Sequence, residues 1–313
     1  MSDKIGFIFP GQGSQIVGMG QAFVENQPDL RKFYVDASAI LGYDLAALCF
    51  EGPLEQLNNT EFTQPALLVT SIVALQALGS ALQPAVVAGH SLGEYSALVS
   101  AGGIGFQDAV QLVQNRAKFM AEAVPSDRGL VAAVLGLAPQ EVKQACEEAQ
   151  SEGVVSAANF NAPGQVVIAG EKVAVERAIE CAKAKGCRRA MPLPVSVPVH
   201  TALMKPAADR LAPFMESVSL SDLRIPLINN AEAKPLVKAA DIRGSLIQQL
   251  PSSVLWEQSI RVMGEMGVTT FVEVGPGTVL TGLVKRILPD AILCNVHNPE
   301  SMQKTLATLK KVA

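Results

Sequence analysis

The sequence predicts a two-part α/β protein: a large domain on a parallel sheet, interrupted by a small ferredoxin-like unit. Three observations predict it. In the first third, short apolar runs end in glycine-rich turns followed by helices, the strand, sharp turn, helix order of a parallel sheet. From about Gly129 the rhythm becomes β-α-β-β-α-β. Near the C-terminus the strand–turn–helix order returns. The expected division is 1–126 with 197–313 for the large domain and 127–196 for the insert.

Residues 4–9 read as a short buried strand ending in Gly11-Gln12-Gly13-Ser14-Gln15. Residues 65–82 read as a mostly apolar helix and 85–88 as a β-favouring run. Gly89-His90-Ser91-Leu92-Gly93 follows, then a helix with Tyr95, Leu98 and Val99 on one face. No formally charged residue lies between Glu61 and Glu94. A membrane-spanning helix needs roughly 20 uninterrupted, mostly apolar residues. Gln76, Gly79, Ser80, Gln83 and Pro84 divide this stretch, so a core helix and strand are expected and no membrane partner. Residues 107–124 form a helix with Ala109, Leu112, Val113, Arg116 and Met120 on one face. In the insert, 130–137 reads as a strand, 139–151 as a helix and 154–160 as a strand. Asn161-Ala162-Pro163-Gly164 turns into strand 165–169, and helix 171–185 and strand 188–195 close the unit. Residues 270–274 are a buried strand that Gly275-Pro276-Gly277 turns into helix 279–287.

Composition narrows the function classes. Of the 313 residues, 49% are hydrophobic and 17% charged, ample for a core and opposite to the balance of disorder. A net charge of −4 argues against nucleic acid or an anionic membrane as a general partner. Cys49, Cys146, Cys181, Cys187 and Cys294 are scattered, with no Cys-x-x-Cys pair, so neither a disulfide framework nor a zinc site is suggested. The first apolar run stops at Pro10-Gly11, too short for a signal peptide, and a cytoplasmic location is expected.

Gly89-His90-Ser91-Leu92-Gly93 fits Gly-x-Ser-x-Gly, the nucleophile elbow. A serine on a strained turn projects its hydroxyl clear of the backbone, and the residues two before and two after must be small. As a bare pattern it occurs by chance in about one chain in ten of this length. The strand before and the helix after give it weight, against the blander reading of a serine helix cap. The large domain is on this ground expected to be α/β-hydrolase-like.

A serine nucleophile needs a base. Of three histidines, His90 is adjacent to Ser91 and diverges from it, and His297 lies in a polar tail suited to the surface. His200 remains, after a proline-spaced segment. Arg116 sits on the apolar stripe of its helix, where a guanidinium must be paired. Two readings stay open: an ion pair with a core carboxylate, or a clamp for a substrate carboxylate. The loop 11–15 lacks the third glycine of a dinucleotide fingerprint and suits delivery of a backbone N–H to the serine. The carboxylates form no metal or glycosidase pattern.

Taken together, the chain resembles the malonyl-CoA:acyl carrier protein transacylase family over nearly its whole length. The markers are Phe9-Pro10-Gly11-Gln12-Gly13-Ser14-Gln15, Thr63-Gln64-Pro65-Ala66 before the first long helix, and Gly89-His90-Ser91-Leu92-Gly93-Glu94. Asn115-Arg116 with Met120, Asn161-Ala162-Pro163-Gly164-Gln165, His200 and Glu273-Val274-Gly275-Pro276-Gly277 complete them. The resemblance implies that Ser91 carries the acyl group, His200 is its base, and the N–H groups of Gln12 and Leu92 form the oxyanion hole. It implies that Arg116 binds the malonyl carboxylate and that a backbone carbonyl at Gln249 orients the histidine. Malonyl-CoA and acyl carrier protein are the implied partners, the protein is expected to be a monomer, and no cofactor or metal is implied.

Ala117, Val131 and Val199 depart from the family's usual residues, which bears on acyl selectivity and not on the chemistry. Two rivals are a serine thioesterase or esterase, which would not need Arg116 on a core face, and a non-catalytic carrier-docking protein. Carrier proteins of this kind are usually acidic, so a basic docking patch is expected among Lys183, Lys185, Arg188, Arg189, Lys285 and Arg286.

Overall fold

The computed structural model describes residues 4–125, 127–193 and 197–310. The first strand, β1 (Lys4–Phe9), is followed by α1 (Gln21–Asn26), α2 (Arg31–Leu41), α3 (Leu45–Glu51), α4 (Leu54–Leu57) and α5 (Thr60–Leu78). Then come β2 (Val86–Gly89), α6 (Gly93–Ala101) and α7 (Phe106–Ala123). A second group follows: β3 (Gly129–Leu135), α8 (Pro139–Ala149), β4 (Val155–Ala162), β5 (Gln165–Glu171), α9 (Lys172–Ala184) and β6 (Arg189–Pro192). The chain continues with α10 (Lys205–Glu216), β7 (Leu227–Ile228), β8 (Pro235–Leu236), α11 (Ala239–Gln249) and α12 (Trp256–Glu265). It ends with β9 (Val268–Val274), α13 (Val279–Ile287), β10 (Ile292–Val296) and α14 (Pro299–Leu309).

The larger sheet runs β10-β9-β1-β2-β7-β8, parallel except at its β7–β8 edge. Its central strand β1 is apolar because it is covered on both faces, as parallel sheets are. The smaller sheet is antiparallel throughout, in the order β4-β5-β3-β6. The β-α-β-β-α-β order read from the sequence is therefore present, with α8 and α9 packed together against it. The final strand of that unit ends at Pro192, shorter than expected. Residues 126 and 194–196, next to both expected insert boundaries, lie outside the described residues.

Helix α5 differs from its expected span. It starts at Thr60, where the Asn59 side chain accepts the Glu61 N–H, and stops at Leu78 before Gly79. Thr63-Gln64-Pro65-Ala66 consequently lies inside the helix and not before it. By length and apolarity α5 could cross a membrane, but 72% of its most apolar stretch is buried within the protein. It packs on α7, α6 and α2, the core role expected of it.

Backbone bonds join β4 of the smaller sheet to the segment between α11 and α12 of the larger unit. Phe160 N–H donates to Val254 O at 2.9 Å, and Val254 N–H donates to Ala158 O at 2.8 Å. Arg286 of α13 donates to Gln165 Oε1 and to Pro163 O, tying the larger unit to the β4–β5 turn.

Candidate active site

The loops after β1 and β2 leave the carboxyl edge of the parallel sheet side by side, where open α/β sheets place their ligands. A Cβ on Gly89 would fall 1.9 Å from the carbonyl of Gly93, and one on Gly93 would fall 2.1 Å from Phe9 O. Glycine is therefore required on both sides of the elbow. Between them Ser91 takes φ 51°, the left-handed region that a serine rarely adopts. Asn230 holds the turn: its Oδ1 accepts the Ser91 N–H at 2.6 Å and its Nδ2 donates to Gly89 O at 2.7 Å.

His200 also has a positive φ, 60°, and is buried. Its Nδ1 faces two acceptors, Gln249 O at 3.0 Å and Ser252 O at 3.1 Å. Two carbonyls demand a hydrogen on Nδ1, so Nε2 is left to accept the Ser91 hydroxyl at 2.7 Å. Burial, reinforced by the charge of Arg116, lowers the His200 pKa to about 3. The ring is thus neutral at ordinary pH.

Arg116 is buried on α7. Its guanidinium donates to Gln64 Oε1, to Ser91 Oγ at 3.1 Å and to Gln249 Oε1 at 3.0 Å, and it lies 5.5 Å from the centre of the Tyr95 ring. Among the described residues no carboxylate forms an ion pair with it, and its Nε has no hydrogen-bond partner. Burial lowers its pKa, opposed by Tyr95 and Glu94. The internal ion pair is absent; a cation remains, held by neutral oxygens and pointed at the nucleophile.

The loop after β1 comes close to the elbow at Gly11, where a Cβ would lie 2.3 Å from His90 O. Gln12 and Leu92 both line the cavity, and the backbone N–H of neither is used in a hydrogen bond among the described residues. The cavity, about 170 Å³, is closed on its other side by Val131, Asn159, Asn161, Val167 and Leu193 of the antiparallel unit. Val131 and Val199, two of the departures noted in the sequence, both line it.

These features are paired with close relatives. The acyl transferase domain family matches residues 6–308. The malonyl CoA-acyl carrier protein transacylase of Escherichia coli strain K12 is 50% identical over 307 residues, covering 97% of this chain and 99% of the relative. That of Bacillus subtilis is 46% identical, covering 98% of each. Among solved structures, an acyl carrier protein S-malonyltransferase from Vibrio cholerae superposes with a TM-score of 0.94 at 46% identity, covering 96% of this chain and 99% of that one. A malonyl-transacylase in complex with its type II PKS acyl-carrier protein superposes with 0.95 at 45% identity, covering 98% and 100%. The chain belongs to the malonyl-CoA:acyl carrier protein transacylase family.

All six residues singled out in the sequence meet at this one site, which gives the transacylase family resemblance its physical content. Gln249 enters twice, by its backbone carbonyl to His200 and by its side chain to Arg116. His90 turns away from Ser91, its Nε2 donating to Asn161 Oδ1 at 2.8 Å. His297 was expected at the surface; it is half-buried, and its enclosed Nδ1 has no partner among the described residues. Sequence reasoning missed roles for Gln64, Glu94, Asn230 and Ser252. Glu94 had a legible signal, as the lone ionisable carboxylate in the apolar helix Gly93–Ala101. Asn230 and Ser252 reach the site from loops and leave no pattern.

Proposed function

We propose that this chain moves the malonyl group from malonyl-CoA to the phosphopantetheine thiol of acyl carrier protein, supplying fatty-acid elongation. The observation that carries the reading is the buried Arg116 guanidinium beside Ser91 Oγ, with no carboxylate in direct ion-pair contact among the described residues. A buried guanidinium at a nucleophile, with no carboxylate in contact, selects an acyl group with a free carboxylate.

In this reading His200 Nε2 takes the Ser91 proton as Oγ attacks the thioester carbonyl. The Gln12 and Leu92 N–H groups meet the oxyanion, aided by the N-terminus of α6. Collapse breaks the C–S bond, and the leaving thiolate takes its proton back from His200. The carrier thiol then repeats the sequence in reverse, with the malonyl ester on Ser91 as intermediate. No cofactor or metal takes part. The Gln249 and Ser252 carbonyls fix the imidazole tautomer without adding charge.

The reading extends to architecture and setting. The large part, 1–126 with 197–313, is α/β-hydrolase-like and the part 127–196 is ferredoxin-like, supported by the sheet order β4-β5-β3-β6. The enzyme works as a cytoplasmic monomer. Of the six candidate docking cations, Lys185 pairs with Glu148, Lys285 donates to Pro289 O and Arg286 is tied to the β4–β5 turn. Lys183, Arg188 and Arg189 are exposed and are the proposed docking set.

The test is the intact mass of the protein after brief mixing with malonyl-CoA, with acetyl-CoA in parallel. A malonyl adduct on Ser91 with little acetyl adduct, discharged by holo-carrier, is the expected result. Steady release of coenzyme A with no adduct would point to a thioesterase.

A further inference from the structure

Glu94 is buried in the first turn of α6, three residues beyond Ser91. Its Oε2 accepts two bonds, from Asn230 N–H at 3.1 Å and from Gln249 Nε2 at 2.8 Å. The same Gln249 Nε2 donates to Ser91 O at 2.9 Å, while Gln249 Oε1 accepts from Arg116. A carboxamide set between a carboxylate and a guanidinium has one satisfactory orientation, amine toward the anion and oxygen toward the cation. Asn230, held by Glu94, in turn holds the Ser91 turn. One buried carboxylate thus reaches Ser91, Arg116 and, through Gln249, His200.

The charge balance gives it a second role. Without substrate, Arg116 and Glu94 are one cation and one anion in a buried site, linked through Gln249. A docked malonyl carboxylate would leave two anions facing one cation, and buried like charges cannot both stay ionised cheaply. Resting on the malonyl-transfer reading, we infer that Glu94 is a positioning residue and the proton-linked counter-charge of the Arg116 pocket, taking up a proton when the substrate carboxylate docks.

Its surroundings leave it free to titrate. Burial raises the Glu94 pKa to about 7, opposed by the Gln249 and Asn230 bonds and by Arg116. Of the elements packed on α6, α7 brings Arg116, α5 brings the neutral Gln64, and β2 and β7 bring no ionisable side chain. Lys4 lies at the exposed start of β1, and Tyr95 is the neighbour on α6 itself. His200, reached through Gln249, stays neutral in this range.

The experiment is calorimetry of malonyl-CoA binding to the Ser91→Ala protein in buffers of different ionisation enthalpy, which counts protons. The expected uptake approaches one proton per site at pH 8 and falls toward zero at pH 6, where Glu94 is already protonated. Affinity correspondingly weakens by up to about tenfold per pH unit above 7. Acetyl-CoA, with the same nucleotide and no carboxylate, gives no such uptake. In the Ser91→Ala, Glu94→Gln protein the malonyl-specific uptake vanishes and the affinity becomes flat with pH. Binding without uptake in the Ser91→Ala protein overturns the inference whatever the second variant does. Uptake that survives Glu94→Gln overturns it equally. Absence of any carboxylate-dependent binding would sink the malonyl reading itself.

Discussion

At the scale of single residues, the site is governed by how burial treats charge. His200 sits where solvent exclusion and Arg116 both oppose an imidazolium, so the folded protein keeps it neutral down to about pH 3. The unfolded chain binds a proton on this residue below about pH 6.5. Stability owed to the neutral ring is thus complete above pH 6.5 and is lost as pH falls toward 3, at about 1.4 kcal/mol per pH unit. Thermal melts from pH 7 to 4.5 should show a shallower loss in His200→Gln than in the parent. Glu94 acts with the opposite sign: its contribution is full below pH 4.5 and is lost as pH rises through about 7. Arg116 makes a further prediction. Hydrogen bonds to a charged group contribute about 1.5–3 kcal/mol each, so Arg116→Ala should lower kcat/KM for malonyl-CoA about 100-fold or more. Acetyl-CoA, with no carboxylate to lose, should be hit less, and the ratio of the two is the measurement. Arg116→Lys should restore little, because an ammonium cannot reproduce the planar fork that reaches Gln64, Gln249 and Ser91 together.

At the scale of elements, legibility followed how local the determining physics was. The elbow was legible because its steric rule lies within five residues: Gly89 and Gly93 are forced by contacts of about 2 Å with backbone. Gly93→Ala should therefore push α6 off β1, cost about 1–3 kcal/mol or more, and abolish the malonyl adduct at Ser91, as melts and intact mass would show. The strands of the small unit were legible as apolar runs set off by turns and helices. The start of α5 was not, because Pro65 reads as a first-turn residue. In the structure it stands five residues inside, with Asn59 capping and the Thr63 hydroxyl donating to Leu57 O and Asn59 O. Asn59→Ala should cost about 1 kcal/mol, measurable in denaturant, with activity unchanged. Gln249 was placed by resemblance for its carbonyl alone. That its side chain spans Arg116 and Glu94 depends on α7, α6 and α11 meeting in space, which no sequence spacing encodes.

At the scale of the whole molecule, the cavity exists because two units with separate cores face each other across it. One brings Ser91, His200 and Arg116, and the other closes the acyl pocket with Val131, Val167 and Leu193. The same geometry bears on how a carrier would be met. Strand β6 runs from the exposed Arg189 toward Leu193 at the cavity wall, so a cation at its start lies about 13 Å from the pocket along the strand. The chain as a whole carries −4, so an acidic carrier is repelled on average and depends on a local patch for its approach. Reversing both charges, Arg188→Glu with Arg189→Glu, should raise the carrier's KM about tenfold at low ionic strength. The effect should shrink toward 0.5 M salt, where the screening length is only a few ångströms. Acylation of Ser91 by malonyl-CoA, followed by mass, should proceed at the parent rate, because neither arginine lines the cavity. Equal loss in both half-reactions would instead mean that the substitutions had disturbed β6 and the pocket wall. An unchanged carrier KM would move the docking face elsewhere on the rim.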